Sequence, residues 1–334
     1  MKRLVYIDIM RGVAIWLVII GHLIQYNNCN DWMHNPVFEW IYSFHMPLFF
    51  YISGYMAVKT TTITNYSDFF RFIGKKIRTL IVPLVVWSLI ANRYFFAKDI
   101  VDFKLIDLWN VFYLRDLWFL KYLFVVSVLY GLFHFIQTKW NKDLTIWKDL
   151  VTSGIIFFML FCCSWFVLSS MFRSFALFYF FFMIGVFVSK HSIIESLWNN
   201  KYVYALAFFL FCMLSTHWNS DGNTLDDLIK VIVAPCSFIV LNTLCKIVEH
   251  LRFSNALAYI GRYSLIIYCS HWAFLTIIQN QIWDFSLMNN FWLFGMCAII
   301  AMPVCFACVF FAKIIERNNI LAFLFMGKKY SNGK

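Results

Sequence analysis

Three ionisable side chains interrupt the first apolar run of the chain, V-Y-I-D-I-M-R-G-V-A-I-W-L-V-I-I-G-H: Asp8, Arg11 and His22. A charged group inside a membrane helix costs several kcal/mol unless it is paired or hydrated, so such residues are functional candidates by default. Arg11 and His22 are 11 residues apart. At about 100° per residue they share one face of a helix, with His22 about 16 Å further along the axis. Asp8 precedes Arg11 by one turn, where the two can pair. The plain reading is an interfacial ion pair plus an interfacial histidine. Three such residues on one stripe favour chemistry: a guanidinium to hold negative charge, and a neutral imidazole as general base or nucleophile.

Similar constellations follow. The second apolar run, F-E-W-I-Y-S-F-H-M-P-L-F-F-Y-I-S-G-Y-M, carries Glu39, Ser43, His45, Pro47 and Ser53. Pro47 is expected to distort the helix and free backbone carbonyls, which is tolerated only against protein or a wet cavity. His45 beside it is either a packing histidine or a site residue. A basic segment, R-F-I-G-K-K-I-R, holds Arg71, Lys75, Lys76 and Arg78 ahead of Pro83. These four charges serve either topology or a polyphosphate. Later, Ser264, Tyr268 and His271 recur at helical spacing on one face, as a satisfied polar cluster or part of a site.

The elements that must position these residues are membrane helices. Of 334 residues, 62% are hydrophobic and 13% charged, against about 25% charged in soluble domains, and with 40 Phe the solvent for this surface is lipid. A spanning helix needs about 20 mostly apolar residues. Ten segments qualify: roughly 7–26, 38–58, 79–97, 117–137, 150–171, 174–189, 202–217, 228–247, 263–283 and 290–312. Residues 108–116 are expected to lie at the interface. With the N-terminus inside, 20 Lys and Arg fall in inner connections and seven in outer ones, leaving Arg11 within the membrane. That asymmetry predicts N-in and C-in. The expectation is an all-α integral membrane protein, a single bundle over 1–334 with no appended soluble domain.

Other classes fit poorly. The +11 charge sits in short connections, suited to anionic lipid or ligand, and no basic face with stacking aromatics points to nucleic acid. Nine of ten cysteines lie in apolar runs, including the C-x-x-C of Cys305 and Cys308, and read as small buried hydrophobes; no metal is expected. Cys29 sits in a polar loop. Lys2 and Arg3 precede an apolar run as in a signal peptide, but no small-residue cleavage site follows, so the run reads as a retained helix.

Taken together, D-x-x-R-G at Asp8–Gly12, R-x10-H from Arg11 to His22, F-H-M-P-L-F-F-x-x-S-G at Phe44–Gly54 and the basic run before a proline at Lys75–Pro83 resemble the acyltransferase 3 family, bacterial membrane O-acyltransferases. Weaker echoes are L-W-F-L at Leu117–Leu120 and S-L-x-I-Y-x-x-H at Ser264–His271. The resemblance implies a ten-helix, N-in, C-in protein of the bacterial inner membrane. It implies acetyl-CoA as acyl donor from the cytoplasmic side and a hydroxyl of a cell-surface glycan or lipid-linked sugar as acceptor. Arg11 and His22 would serve acyl transfer with Asp8 orienting Arg11, and Arg71, Lys75, Lys76 and Arg78 would hold the donor's phosphates. The family's R-x-x-R element falls on Lys75 and Arg78, a departure that keeps charge but loses one planar fork. His45, His271, Glu39 and Trp118 are expected at the acceptor, with Trp118 stacking on a sugar ring. The competing reading is a multi-helix transporter or flippase of an anionic or glycan substrate, which needs no reactive histidine.

Overall fold

A computed structural model of the chain describes residues 3–27, 32–90, 117–140, 146–167, 170–219, 224–278 and 288–329. Its helices are Val5–Asn27 (α1), Pro36–Tyr42 (α2), His45–Thr60 (α3), Tyr66–Lys76 (α4), Val82–Ile90 (α5), Trp118–Trp140 (α6), Ile146–Val167 (α7) and Ser170–Lys190 (α8). Then come Ser192–Trp198 (α9), Lys201–Leu214 (α10), Thr224–Val248 (α11), Arg252–Arg262 (α12), Ser264–Ile278 (α13), Asn290–Glu316 (α14) and Asn319–Met326 (α15). A π turn, Ile77–Ile81, joins α4 to α5. There is no strand among the described residues. Among the described residues six helices are long and apolar enough to cross a membrane: α1, α6, α7, α8, α11 and α14. Helices over 201–217 and 264–275 are apolar but shorter. The expected interfacial stretch 108–116, Cys29 and the far ends of the third and ninth expected spans lie outside the described residues.

The chain forms two compact units, Met1–Ile52 with Ile193–Ile314, and Ser53–Ser192 with Ile315–Lys334. In the first, α1 is the central strut. Its most apolar stretch is 78% buried, as suits a helix that is apolar all round. Helix α12 lies against it through two glycines. A Cβ on Gly12 would sit 2.7 Å from the Leu257 carbonyl carbon, and one on Gly261 would sit 2.8 Å from the Gly12 nitrogen. Small residues let helix backbones approach where the surrounding lipid offers no hydrophobic drive to associate. The glycine of D-x-x-R-G therefore has a packing task.

The second expected span is two helices. After α2 the chain breaks at Ser43 and Phe44, and Pro47 lies in the first turn of α3, not at the distortion itself. Proline lacks an N–H and its ring clashes with the carbonyl four residues back, so the helix gives way upstream. At this break the Ile41 carbonyl accepts from His45 Nδ1 at 2.7 Å and from the Phe44 N–H at 3.3 Å.

In the second unit, α6 and α8 bury Tyr130, Phe133, Tyr179 and Phe182. At the helix ends the Asp149 carboxylate takes Lys190 at 2.7 Å, His191 at 2.7 Å and the Gln137 amide. Helix α7 is only 11% buried over its spanning stretch and exposes Ile155, Phe158, Met159 and Phe161, a face suited to lipid.

Candidate active site

Four aromatic and imidazole rings gather at the far end of α1. His22 Nδ1 lies 2.9 Å from Gln25 Oε1, one turn on along the same helix. An amide oxygen only accepts, so Nδ1 carries the proton and Nε2 keeps its lone pair. The His22 ring stacks on His271 of α13 at 5.1 Å between centroids and lies 4.8 Å from Trp272 and 6.1 Å from Tyr26. Tyr26 and Trp272 close the group edge to face at 5.3 Å.

His271 is fully buried. Its Nδ1 donates to the Ile267 carbonyl at 3.0 Å, and its Nε2 has no hydrogen-bond partner among the described residues. His45 follows the same rule, with Nδ1–H tied to Ile41 and its ring 4.5 Å from that of Tyr42. The Tyr42 ring rests on Gly21, where a Cβ would approach it to 2.7 Å. Gly21 thus admits the tyrosine beside His22. All three imidazoles are anchored through Nδ1–H, which leaves each Nε2 as the unprotonated nitrogen. A buried acceptor without a donor is costly.

Lys230 of α11 also belongs here. Its ammonium lies 4.3 Å from the Trp218 ring centroid, and its charge acts on His45, as does His22. Sequence reasoning counted Lys230 only as an outer-loop charge and passed over Gln25, Tyr26, Tyr42 and Trp272. The available signals were a lysine inside an apolar run and Gln25 one turn from His22.

At the near end of α1, Asp8 pairs most closely with Arg3, at 2.6 Å, and stands 3.5 Å from Arg11. The expected Asp8–Arg11 contact is present, but Arg3 is the tighter partner. Because α1 is one unbroken helix, 11 residues place Arg11 about 16 Å from His22 along the axis. They cannot meet at one atom, so any shared ligand must be extended. Glu39 is buried in the first turn of α2, in the same unit as His22.

The remaining expected residues lie in the second unit. Arg71, Lys75 and Arg78 line a cavity of about 450 Å³ with Thr60, Thr61, Thr62, Asp68, Phe72 and Lys329. Arg78 Nε is buried without a hydrogen-bond partner among the described residues. Lys329 arrives from the far end of the sequence. Gly327 ends α15 at φ 61°, and a Cβ there would come within 2.6 Å of Thr79 Cα. Lys328 and Lys329 entered the sequence argument only as topology charges. Lys76 is not among the lining residues; its ammonium lies 5.5 Å from the Phe72 ring centroid. Asp68 accepts from the Thr64 hydroxyl at 2.6 Å and the Thr64 N–H at 3.2 Å, and faces Arg71 at 3.1 Å. These Thr64 bonds, with Arg71 assisting, hold its carboxyl below the usual carboxylate range. Trp118 packs on Phe178 at 5.3 Å and Tyr122 at 5.5 Å. Among the described residues no group of His, Cys, Asp and Glu has the arrangement to hold a metal ion.

Residues 4–310 match the family model described as an acyltransferase domain, that of the acyltransferase 3 family. Among curated proteins the chain is similar to the nodulation protein NolL of Sinorhizobium fredii, with 38% identity over 89 residues covering 26% of this chain and 24% of that one. It is also similar to NolL of Mesorhizobium japonicum, with 33% identity over 148 residues covering 42% of this chain and 37% of that one. The matches thus span well under half the length of these relatives. No solved structure matches the chain. With its helices apolar enough for lipid, and a match running through all the motif-bearing segments, the chain belongs to the acyltransferase 3 family, membrane proteins with an acyltransferase domain.

Proposed function

We propose that this protein transfers an acetyl group from acetyl-CoA to a hydroxyl of a cell-surface glycan or lipid-linked sugar, in the bacterial inner membrane. In this reading the chain crosses the bilayer ten times with both ends in the cytoplasm. One observation carries the proposal: His22 has its Nδ1–H held by Gln25 and its ring stacked on His271, whose buried Nε2 has no donor among the described residues. That is the arrangement of a base set to meet a hydroxyl.

His22 Nε2 takes the acceptor's hydroxyl proton as the oxygen attacks the thioester carbonyl. The carbon–sulfur bond breaks, and the thiolate leaves with the proton returned by the imidazolium. On a second route the same nitrogen attacks first and the CoA thiolate leaves; the acceptor oxygen then takes the acetyl from the imidazolium, and its proton passes to the thiolate, which ends as CoA thiol. His271 Nε2 accepts a hydrogen bond from a hydroxyl of the acceptor, while Tyr26 and Trp272 offer ring faces to a sugar. His45 is held beside this group by its own tether to Ile41.

Arg11, about 16 Å away, serves a remote part of the extended donor and not the thioester carbonyl. The donor's phosphates engage Arg71, Lys75 and Arg78, joined by Lys329; four cations against one carboxylate, with an unpartnered Arg78 Nε–H, suit a polyphosphate.

The test compares surface glycans by mass spectrometry from wild-type, deletion and His22→Ala cells. The proposal expects an acetyl-sized mass present in wild type and absent from the other two. Full acetylation in the His22→Ala strain overturns the site. CoA released in a burst without acceptor selects the acetyl-imidazole route, and strict dependence on acceptor selects direct transfer.

A further inference from the structure

A second cavity, of about 260 Å³, lies in the second unit between α3, α6 and α8. Its lining is Val58, Tyr130, Phe133, His134, Gln137, Thr138, Val186 and Lys190, mostly apolar with polar groups from α6 and α8. Hydrogen-bond accounting shows what those groups still lack. Lys190 Nζ gives one N–H to Gln137 Oε1 at 2.9 Å and another to Asp149 Oδ2 at 2.7 Å. An ammonium has three donors, so one remains. Gln137 spends its amide on Asp149, and the Thr138 hydroxyl donates back to the carbonyls of its own helix. His134 Nδ1 is buried without a hydrogen-bond partner among the described residues. Lys190 is near enough for its charge to act on that ring.

The outstanding demand is one donor and one acceptor, on two different helices, across an apolar space. An anion fits poorly, because the charge of Lys190 is already matched by Asp149, which is 2% exposed. A secondary amide fits well: it offers one carbonyl acceptor and one N–H donor on opposite edges.

We propose that this cavity binds the amide-bearing pantetheine arm of the acyl-CoA donor. The carbonyl of one arm amide accepts from Lys190, and an arm N–H donates to His134 Nδ1. The proposal rests on the acyl-CoA reading given above. Proximity to the basic cavity supports it. Val58 lines one cavity and Thr60 the other, two residues apart at the end of α3. Phe72, which lines the basic cavity, packs where a Cβ on Gly131 would meet it at 2.9 Å, next to Tyr130 of the second cavity. A ligand with phosphates on Arg71, Lys75 and Arg78 therefore has a mostly apolar cavity with amide partners close by.

The test is calorimetric titration of the full chain in lipid nanodiscs with two probes, CoA and adenosine 3′,5′-bisphosphate, which lacks the arm. Removing one hydrogen bond of about 0.5–1.5 kcal/mol predicts that His134→Phe weakens CoA roughly 2–13-fold and leaves the bisphosphate unchanged. His134→Asn, whose side-chain oxygen falls near the Nδ1 position, restores CoA affinity. Equal weakening of both probes by His134→Phe, or no weakening of CoA, overturns the inference while sparing the donor assignment. A wild-type protein that binds no CoA overturns both.

Discussion

Replacing Gly12 by alanine adds one methyl group at the close backbone contact between α1 and α12. The new carbon would lie 2.7 Å from the carbonyl carbon of Leu257 and closer still to its oxygen, whereas real Cβ atoms keep at least 3.0 Å from such neighbours. Both obstacles are backbone, so no rotamer change relieves the clash. Helix α12 must move off α1. The same seam holds Gly261 against Asp8 and Gly12, so displacement opens contacts along its length. A radial gap of about 0.5–1 Å forfeits a quarter to a half of each dispersion contact. Overpacking of this kind costs about 1–3 kcal/mol. At roughly 2–4 °C per kcal/mol for a chain somewhat smaller than this one, the expected fall in Tm is about 2–12 °C. The assay is thermal unfolding in detergent at a fixed scan rate. Gly154→Ala is the control: nothing lies within 4 Å of its Cβ, and alanine is the better helix former by about 0.5–1 kcal/mol. It should hold or raise Tm. A Gly12→Ala protein melting within about 1 °C of the parent refutes the claim that the D-x-x-R-G glycine is a packing residue.

Gln25→Leu removes the acceptor that fixes the His22 tautomer; a lost hydrogen bond of about 1 kcal/mol plus a misoriented ring should lower kcat about tenfold or more with the KM for donor unchanged, while Gln25→Glu, which keeps an acceptor, retains activity. Gly327→Ala places a side chain at φ 61° and against Thr79, so it should weaken adenosine 3′,5′-bisphosphate binding at the basic cavity several-fold in the same titration, with other folded-state signals intact. Asp68 is held below its usual range by Thr64, so its contribution to the start of α4 is full above the unfolded carboxyl value, about 3.9, and is lost as pH falls through the lower folded value. Hydrogen exchange at the α4 N-terminus should therefore lose protection on acidification in wild type, and Asp68→Asn should remove that pH dependence.

Much of the architecture was legible because lipid imposes one rule on every spanning segment: an apolar run of sufficient length must be helical. The segments 7–26, 150–171, 228–247 and 290–312 lie within a few residues of α1, α7, α11 and α14. Helix α12 was missed because an 11-residue amphipathic stretch carries neither the length nor the hydropathy of a span; its role comes from glycine contacts that only three dimensions reveal. The break before α3 was legible as a proline effect but misplaced, since proline acts on the residues behind it. Within the site, His22 and His271 could be named from their intrusion into apolar runs, yet their stacking across α1 and α13 depends on helix packing that no short-range pattern encodes. Lys329 is the clearest case. It joins Arg71, Lys75 and Arg78 from the other end of the sequence, through the cap of an eight-residue helix.

The tether between the His45 ring and the Ile41 carbonyl bears on how this enzyme family can be re-engineered. That imidazole serves as mortar at a corner of the backbone, so alanine at position 45 would remove the shorter of two hydrogen bonds that the Ile41 carbonyl accepts, leaving the Phe44 N–H at 3.3 Å, and loosen the corner along with any chemistry. An inactive alanine protein would thus say little about reactivity. Asparagine there keeps an N–H to fill the joint while deleting the second ring nitrogen, which makes it the informative replacement. Substitutions meant to probe the His22 ring cluster should begin at Trp272 and leave the corner alone.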